Sequence, residues 1–462
     1  MFDFSSELTK NTSEPLYKIL YDNMVKEITS GSIRAGEKLP SKRRISYDLG
    51  VSMSTVETVY SLLAAEGYIE SKPRSGYYAC QMMPLEPIDK NFENNFTPKP
   101  EQPSIYKYQF STSGIDTDIF PYSTWAKLMK DTIYNGRGLL TRGDSFGDRE
   151  LREALCAFLH EYRGAQAQSD QIIIGSGIQF LLDRLYYLLP PDSAYAFEDP
   201  TYLSAYRTLK EKGANVCSVP LDEAGMRSDR LFESMADIAY VTPSHQFPTG
   251  VTMPAWRRRE LIAWAQEKDG RYIIEDDYDS EFRYSTRPIP CMQGLTGSDR
   301  VIYMGTFSRT IASSLRIAYM ILPRHLVDIY KERYGYMTCT VSRFEQQALA
   351  KFISSGQYGR HLRRAALLYK QRIQLLTSLI SDIPRSTIRG AEAGLHFMLT
   401  VPSYTENELI ARAAEAGIKV HGLSEYYVGD NCPESTLVLG FAGLDEAALK
   451  DACAILKNAW KA

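Results

Sequence analysis

Five prolines, Pro84, Pro87, Pro98, Pro100 and Pro103, crowd the stretch Gln81–Ser104, which holds few residues able to build a core. Each proline fixes its own backbone angle and removes a hydrogen-bond donor, so no regular element runs through. We read a semi-extended linker. The alternative is a long surface loop inside one domain, and loops of this length are uncommon in compact domains. The linker leaves a small piece at 14–80 and a large one at 105–462. A chain of 462 residues is long enough for two to four domains at ~100–200 residues each.

The small piece carries a helical pattern. Leu16, Leu20, Met24 and Ile28 recur at four-residue spacing, as one helix face requires. Pro40-Ser41 opens a second helix, with Ser41 as N-cap and Ile45 and Leu49 as the buried stripe. Gly50-Val51 makes a tight corner before a third helix that starts at Ser52, buries Val56, Val59, Tyr60 and Leu63, and stops at Gly67. Residues 68–79 then read as strand, turn, strand. Three helices and a hairpin make a winged helix-turn-helix, whose third helix must present short polar side chains to the major groove. Ser52, Ser54 and Thr55 stand at that end. Lys42, Arg43 and Arg44 on the preceding helix and Lys72 and Arg74 in the wing are placed to neutralise phosphates. A helical interaction module with a solvated charge run is the alternative from pattern alone.

Charge gives that reading no help. Lys and Arg total 53 against 56 Asp and Glu, a net charge of -3, so any nucleic-acid surface is local. The hydrophobic fraction of 44% and charged fraction of 24% are those of a globular chain and exclude a mostly disordered or fibrous one. No apolar run approaches the ~18 residues of a membrane helix. Seven scattered cysteines without a C-x-x-C pair suit reduced thiols in the cytoplasm.

Beyond the linker, apolar runs alternate with helical ones. Short strands are expected at 172–174, 194–197, 215–219, 238–242, 271–275, 301–304 and 317–322, which argues for a largely parallel sheet covered on both faces. A smaller α/β piece follows around 394–462. Gly175-Ser176-Gly177-Ile178-Gln179, between a strand and a helix that runs over 178–189, offers backbone donors to a phosphate, although such turns are often purely structural. Tyr202 is placed to stack on an aromatic ring or simply to pack. Glu275-Asp276-Asp277-Tyr278 ends an apolar strand, where a parallel sheet builds its ligand site. A carboxylate there can keep a pyridinium nitrogen protonated, or merely cap a helix.

The stretch from Leu39 to Ile69 resembles the GntR-type DNA-binding domain through L-P-S-x-R, L-G-V-S-x-x-T-V, L-x-x-E-G and the wing glycine, Gly76. The resemblance implies that Ser41, Lys42, Arg43, Ser52, Ser54, Thr55, Arg74 and Gly76 meet a double-stranded DNA operator. Met53 stands where many relatives carry arginine. The order of glycine turn, acidic strand end and G-T-F-S-R-T-I-A-S-S-L-R at 305–316 is similar to fold-type I aminotransferases. P-S-H-Q-F-P-T-G at 243–250 and I-I-E-D-D-Y-D-S-E-F at 273–282 resemble more closely the MocR subfamily of GntR regulators, a winged helix fused to an aminotransferase-like domain.

That resemblance implies a multidomain chain, with a winged helix joined to a fold-type I domain dependent on pyridoxal phosphate and ending in a smaller α/β subdomain. It implies a homodimer responding to a small-molecule effector. Gly177, Ile178, Ser308 and Arg316 would bind the cofactor phosphate, Tyr202 would stack on the ring, Asp276 would pair with the ring nitrogen, and Tyr278 would lie near the phenolic oxygen. Phe247 stands where ordinary aminotransferases place asparagine. Arg309 stands where the Schiff-base lysine belongs, and no lysine occurs between Arg300 and Pro323. Guanidinium keeps its proton at any ordinary pH, so it cannot attack an aldehyde. Nor does the strand Leu437–Leu444 hold the arginine that commonly grips a substrate carboxylate. The expectation is a ligand-sensing regulator that binds pyridoxal phosphate noncovalently, an amino compound, or both, and has no catalytic residue. A working aminotransferase with an accessory DNA-binding domain, and a regulator whose large domain binds no cofactor, are the alternatives.

Overall fold

The computed structural model describes residues 14–82, 106–284, 289–296, 299–429 and 432–461. The expected linker therefore lies outside the described residues, apart from Gln81 and Met82. The chain forms two compact units, Met1–Gln102 and Pro103–Ala462.

In the first unit, helices α1 (Leu16–Thr29), α2 (Lys42–Leu49) and α3 (Met53–Ala65) precede the antiparallel hairpin β1 (Ile69–Lys72) and β2 (Gly76–Ala79). Ser41 caps α2, its hydroxyl accepting from Arg44 N at 3.3 Å. Gly50 ends that helix in the left-handed region at φ +64°, a conformation that a side chain would strain. Leu20, Met24 and Ile28 of α1 pack with Val56, Val59, Tyr60 and Leu63 of α3. Leu16, expected on the same face, is 51% exposed, because the first turn reaches past that core. Tyr60 also donates to the carbonyl of Pro40 at 2.7 Å, fixing α3 against the entry to α2.

The second unit is built on an eight-stranded sheet. In chain order its strands are β3 (Ile172–Gly175), β4 (Ala194–Asp199), β5 (Asn215–Asp222), β6 (Gly225–Met226), β7 (Ile238–Val241), β8 (Tyr272–Asp277), β9 (Val301–Thr306) and β10 (Ala318–Ile321). Their spatial order is β3-β10-β9-β8-β7-β4-β5-β6. The run β9-β8-β7-β4-β5 is parallel, while β10 lies antiparallel between β9 and β3. The return from Thr306 to Ala318 contains only a short 3-10 turn, Ser313–Leu315, too little for a crossover helix, so β10 comes back reversed. Both faces are covered, as successive residues show. Ile238 and Tyr240 pack on one face with Leu181 and Leu185, and Ala239 and Val241 pack on the other with Leu261 and Trp264.

A smaller antiparallel sheet joins Thr387–Arg389, His396–Thr400, Thr436–Gly440 and His421–Gly422. It packs on the long helix Gln357–Ile380 and the final helix Glu446–Ala459 through Tyr369, Leu376, Phe397, Leu449 and Leu456.

Candidate functional site

The helix α4 (Ile178–Leu188) starts where β3 ends, and Gly177 is its N-cap at φ +105°. A Cβ at Gly177 would lie 2.4 Å from Nη2 of Arg316, so only glycine lets that guanidinium reach the helix N-terminus. Arg316, itself left-handed at φ +52°, makes long bonds there to Ser176 O (3.5 Å) and Gln179 Oε1 (3.3 Å). Ile178, Tyr202, Asp276, Tyr278, Ser308, Arg309 and Arg316, all expected from the sequence, line one cavity of about 180 Å³.

Asp276, near the carboxyl end of β8, is 3% exposed. Its Oδ2 accepts from the hydroxyl of Tyr240, while Oδ1 is buried without a partner. Burial pushes the carboxyl up to about 7; the bond from Tyr240 opposes this, and the charges of Asp277 and Asp279 add to it. The neighbouring Asp277 is structural, held by Arg163 at 2.8 Å and by the hydroxyl of Tyr303 at 2.5 Å. Tyr278 donates to the carbonyl of His245 at 2.9 Å, and His245 Nδ1 lies 3.0 Å from Asp279.

Phe247, 5% exposed, forms a wall with the rings of Tyr202, Tyr278, His396 and Tyr426 at centroid distances of 5.1–6.0 Å. Glycines press the smaller sheet's approach against this wall. A Cβ at Gly394 would lie 2.0 Å from the His245 ring, and one at Gly250 would lie 2.6 Å from the Cα of Gly390.

Arg309 forms no hydrogen bond or ion pair among the described residues. Ser113, Thr242, Thr306 and Ser313 also line the cavity, as does Gln179 of the expected phosphate-binding turn, and Tyr240 bonds to Asp276; of these only Gln179 was singled out from the sequence. Tyr240 lies in Ile238–Val241, which reads as an ordinary core strand, and the alternation of β7 was the only signal of its direction. Ser113 comes from far upstream, and no local signal ties it to the cavity.

In the first unit the candidate DNA-facing residues fall on three elements. Ser52 caps α3, its hydroxyl accepting from Thr55 N at 3.1 Å and bonded to the Ser54 and Thr55 hydroxyls at 2.8 Å each. Arg43 is exposed on α2, whereas Arg44 is tied to Asp48 at 3.1 Å and Lys42 lies over the ring of Tyr77. Arg74, at φ +60°, is exposed at the wing tip, and Gly76, at φ +116°, leaves room for the Lys38 side chain.

Such a helix-turn-helix with a basic wing, and such a sheet with a cavity at its carboxyl edge, define a DNA-binding regulator carrying an aminotransferase fold. Residues 16–78 match the bacterial regulatory proteins of the gntR family, and residues 109–456 match aminotransferase class I and II. The chain belongs to the MocR subfamily of GntR-type transcription regulators. It is 37% identical to the uncharacterized HTH-type transcriptional regulator YhdI of Bacillus subtilis, over 99% of this chain and 98% of that protein. It is 32% identical to the probable rhizopine catabolism regulatory protein MocR of Rhizobium meliloti, over 98% and 96%. The kynurenine aminotransferase of Pyrococcus horikoshii, solved in complex with PMP, superposes with a TM-score of 0.69 at 25% identity, over 76% of this chain and 90% of that one. Among the described residues, no helix is long and apolar enough to cross a membrane.

Proposed function

We propose that this regulator binds pyridoxal phosphate without a covalent bond in the cavity of its large domain, 105–462, and reads an operator with residues 14–80. The observation that carries the reading is Asp276, whose buried Oδ1 lacks a partner in the same cavity as Arg316 and the α4 N-terminus. An acceptor suits a protonated ring nitrogen, and backbone donors with a guanidinium suit a phosphate. When bound, pyridoxal phosphate supplies an electron-withdrawing ring and an aldehyde. Tyr202 and Phe247 supply ring faces, and Ser308 supplies a further hydroxyl for phosphate. Arg309 takes the lysine position, where it can hydrogen-bond and cannot add to the aldehyde. With no nucleophile in place, occupancy of the site acts as a signal, a small-molecule effector modulates it, and the chain works as a cytoplasmic homodimer on DNA.

Absorbance of the full chain titrated with pyridoxal phosphate tests this. The expected result is a shifted aldehyde spectrum with no mass increment after borohydride. Arg309→Lys should gain that increment, because a lysine, unlike a guanidinium, has an amine that can lose its proton and add to the aldehyde. A free-aldehyde spectrum unchanged at millimolar ligand would overturn the reading.

A further inference from the structure

Arginines sheltered in the large unit are, as a rule, compensated. Arg163 is paired with Asp277, Arg372 with Asp116, Arg343 with Asp148 and Arg257 with Asp222, while the fully buried Arg258 is held by three backbone carbonyls. Arg309 breaks this rule. It is partly buried, lines the cavity, and has neither an acidic partner nor a hydrogen bond among the described residues. Tyr278, Tyr369, Tyr426 and His396 are among the groups that feel its charge. The three phenols stay neutral because burial raises them, and burial holds His396 well below its ordinary value, so it stays neutral as well. A sheltered guanidinium with no directly paired carboxylate among the described residues has room for a counter-charge, and an arriving anion can supply it.

Resting on the reading that the cavity holds a phosphorylated pyridine, the groups around it can be matched to such a ring. Arg316 and the α4 N-terminus suit the phosphate arm, Asp276 suits the ring nitrogen, and Tyr278 suits the phenolic oxygen. The substituent at ring carbon 4 is left for Arg309. A planar guanidinium offers two parallel donors, the geometry of a carboxylate. We propose that Arg309 selects a phosphorylated pyridine whose carbon-4 substituent bears a carboxylate, so that the regulator senses an acid derivative of the cofactor in preference to the aldehyde or amine. That carboxylate has two chemical sources. It can sit directly on the ring, after oxidation of the aldehyde, or it can belong to an amino acid joined through a reduced carbon–nitrogen bond.

Calorimetric titration of the full chain tests the proposal with four probes: 4-pyridoxic acid 5′-phosphate, N-(5′-phosphopyridoxyl)-alanine, pyridoxal phosphate and pyridoxamine phosphate. The expected result is that one of the two carboxylates binds at least about tenfold more tightly than pyridoxamine phosphate, as a charge-assisted bidentate pair allows. Which of the two binds identifies the source. In Arg309→Gln the preference should fall below about threefold. If pyridoxamine phosphate binds the unaltered protein as tightly as both carboxylates, the proposal is overturned while the cofactor reading stands. A preference that survives in a folded Arg309→Gln protein also overturns it. If none of the four binds at millimolar concentration, the cofactor reading itself fails. The ranking in the unaltered protein decides the matter even where the variant does not fold.

Discussion

Asp276 is a carboxyl whose environment opposes its charge. Its folded value, about 7, stands above the ordinary value of 3.8, so between those two pH values the folded chain holds a proton that the unfolded chain has released. Its contribution to stability is therefore complete below pH ~4 and is lost as pH rises through 7. Glu198 and Glu275, also pushed up to about 7 by burial, add to the same trend in the unaltered protein. Asp276→Asn isolates one part of it. The variant should match the parent near pH 4 and be more stable at pH 8 by an amount on the order of 1–3 kcal/mol, read as denaturation midpoints of the large unit. Equal midpoints at pH 8 would mean that Asp276 ionises freely. Gly177 makes a second test. Gly177→Ala places a methyl 2.4 Å from Arg316 Nη2 and strains a backbone at φ +105°, so affinity for inorganic phosphate should fall about tenfold or more by calorimetric titration. An unchanged affinity would remove Arg316 from phosphate binding.

Among the elements, α3 depends on one hydroxyl. Ser52→Ala leaves the Thr55 amide uncapped, a loss of about 1 kcal/mol, and hydrogen exchange in the first turn of α3 should quicken about fivefold in the full chain. Exchange at the parent rate would show that water caps the helix equally well. The cap at Ser41, the start of α3 at Ser52, the glycine turn before α4 and the acidic end of β8 were legible in the sequence, because each is a local demand met by a local residue type. The reversal of β10 was not legible, since an apolar run such as Ala318–Ile321 has the same pattern in either direction and only the missing crossover decides. Tyr240 escaped for a related reason. A tyrosine in a buried strand looks like core until the neighbouring strand places Asp276 against its hydroxyl. The left-handed backbone of Arg316 had no sequence signal at all, because arginine has no preference for that conformation.

For the whole molecule, the balanced charge of -3 makes DNA affinity a matter of a few placed cations. Arg43→Ala should weaken operator and unrelated DNA alike and flatten the logarithmic salt slope by about one unit, measured by fluorescence anisotropy across salt. Unchanged slopes would take Arg43 out of the interface. The backbone contacts at Gly250, Gly390 and Gly394 bear on how the proposed ligand would be reported. Where two segments touch through side chains, a small push is absorbed by a rotamer change. Where they touch through bare backbone and a buried imidazole, no such play exists. The loop carrying His245 and Phe247 and the segment leading into the smaller sheet thus behave as meshed parts without backlash. A displacement that a ring bound as proposed would impose on Phe247 would therefore pass toward the smaller sheet with little taken up on the way, and that sheet would serve as the pointer of the gauge.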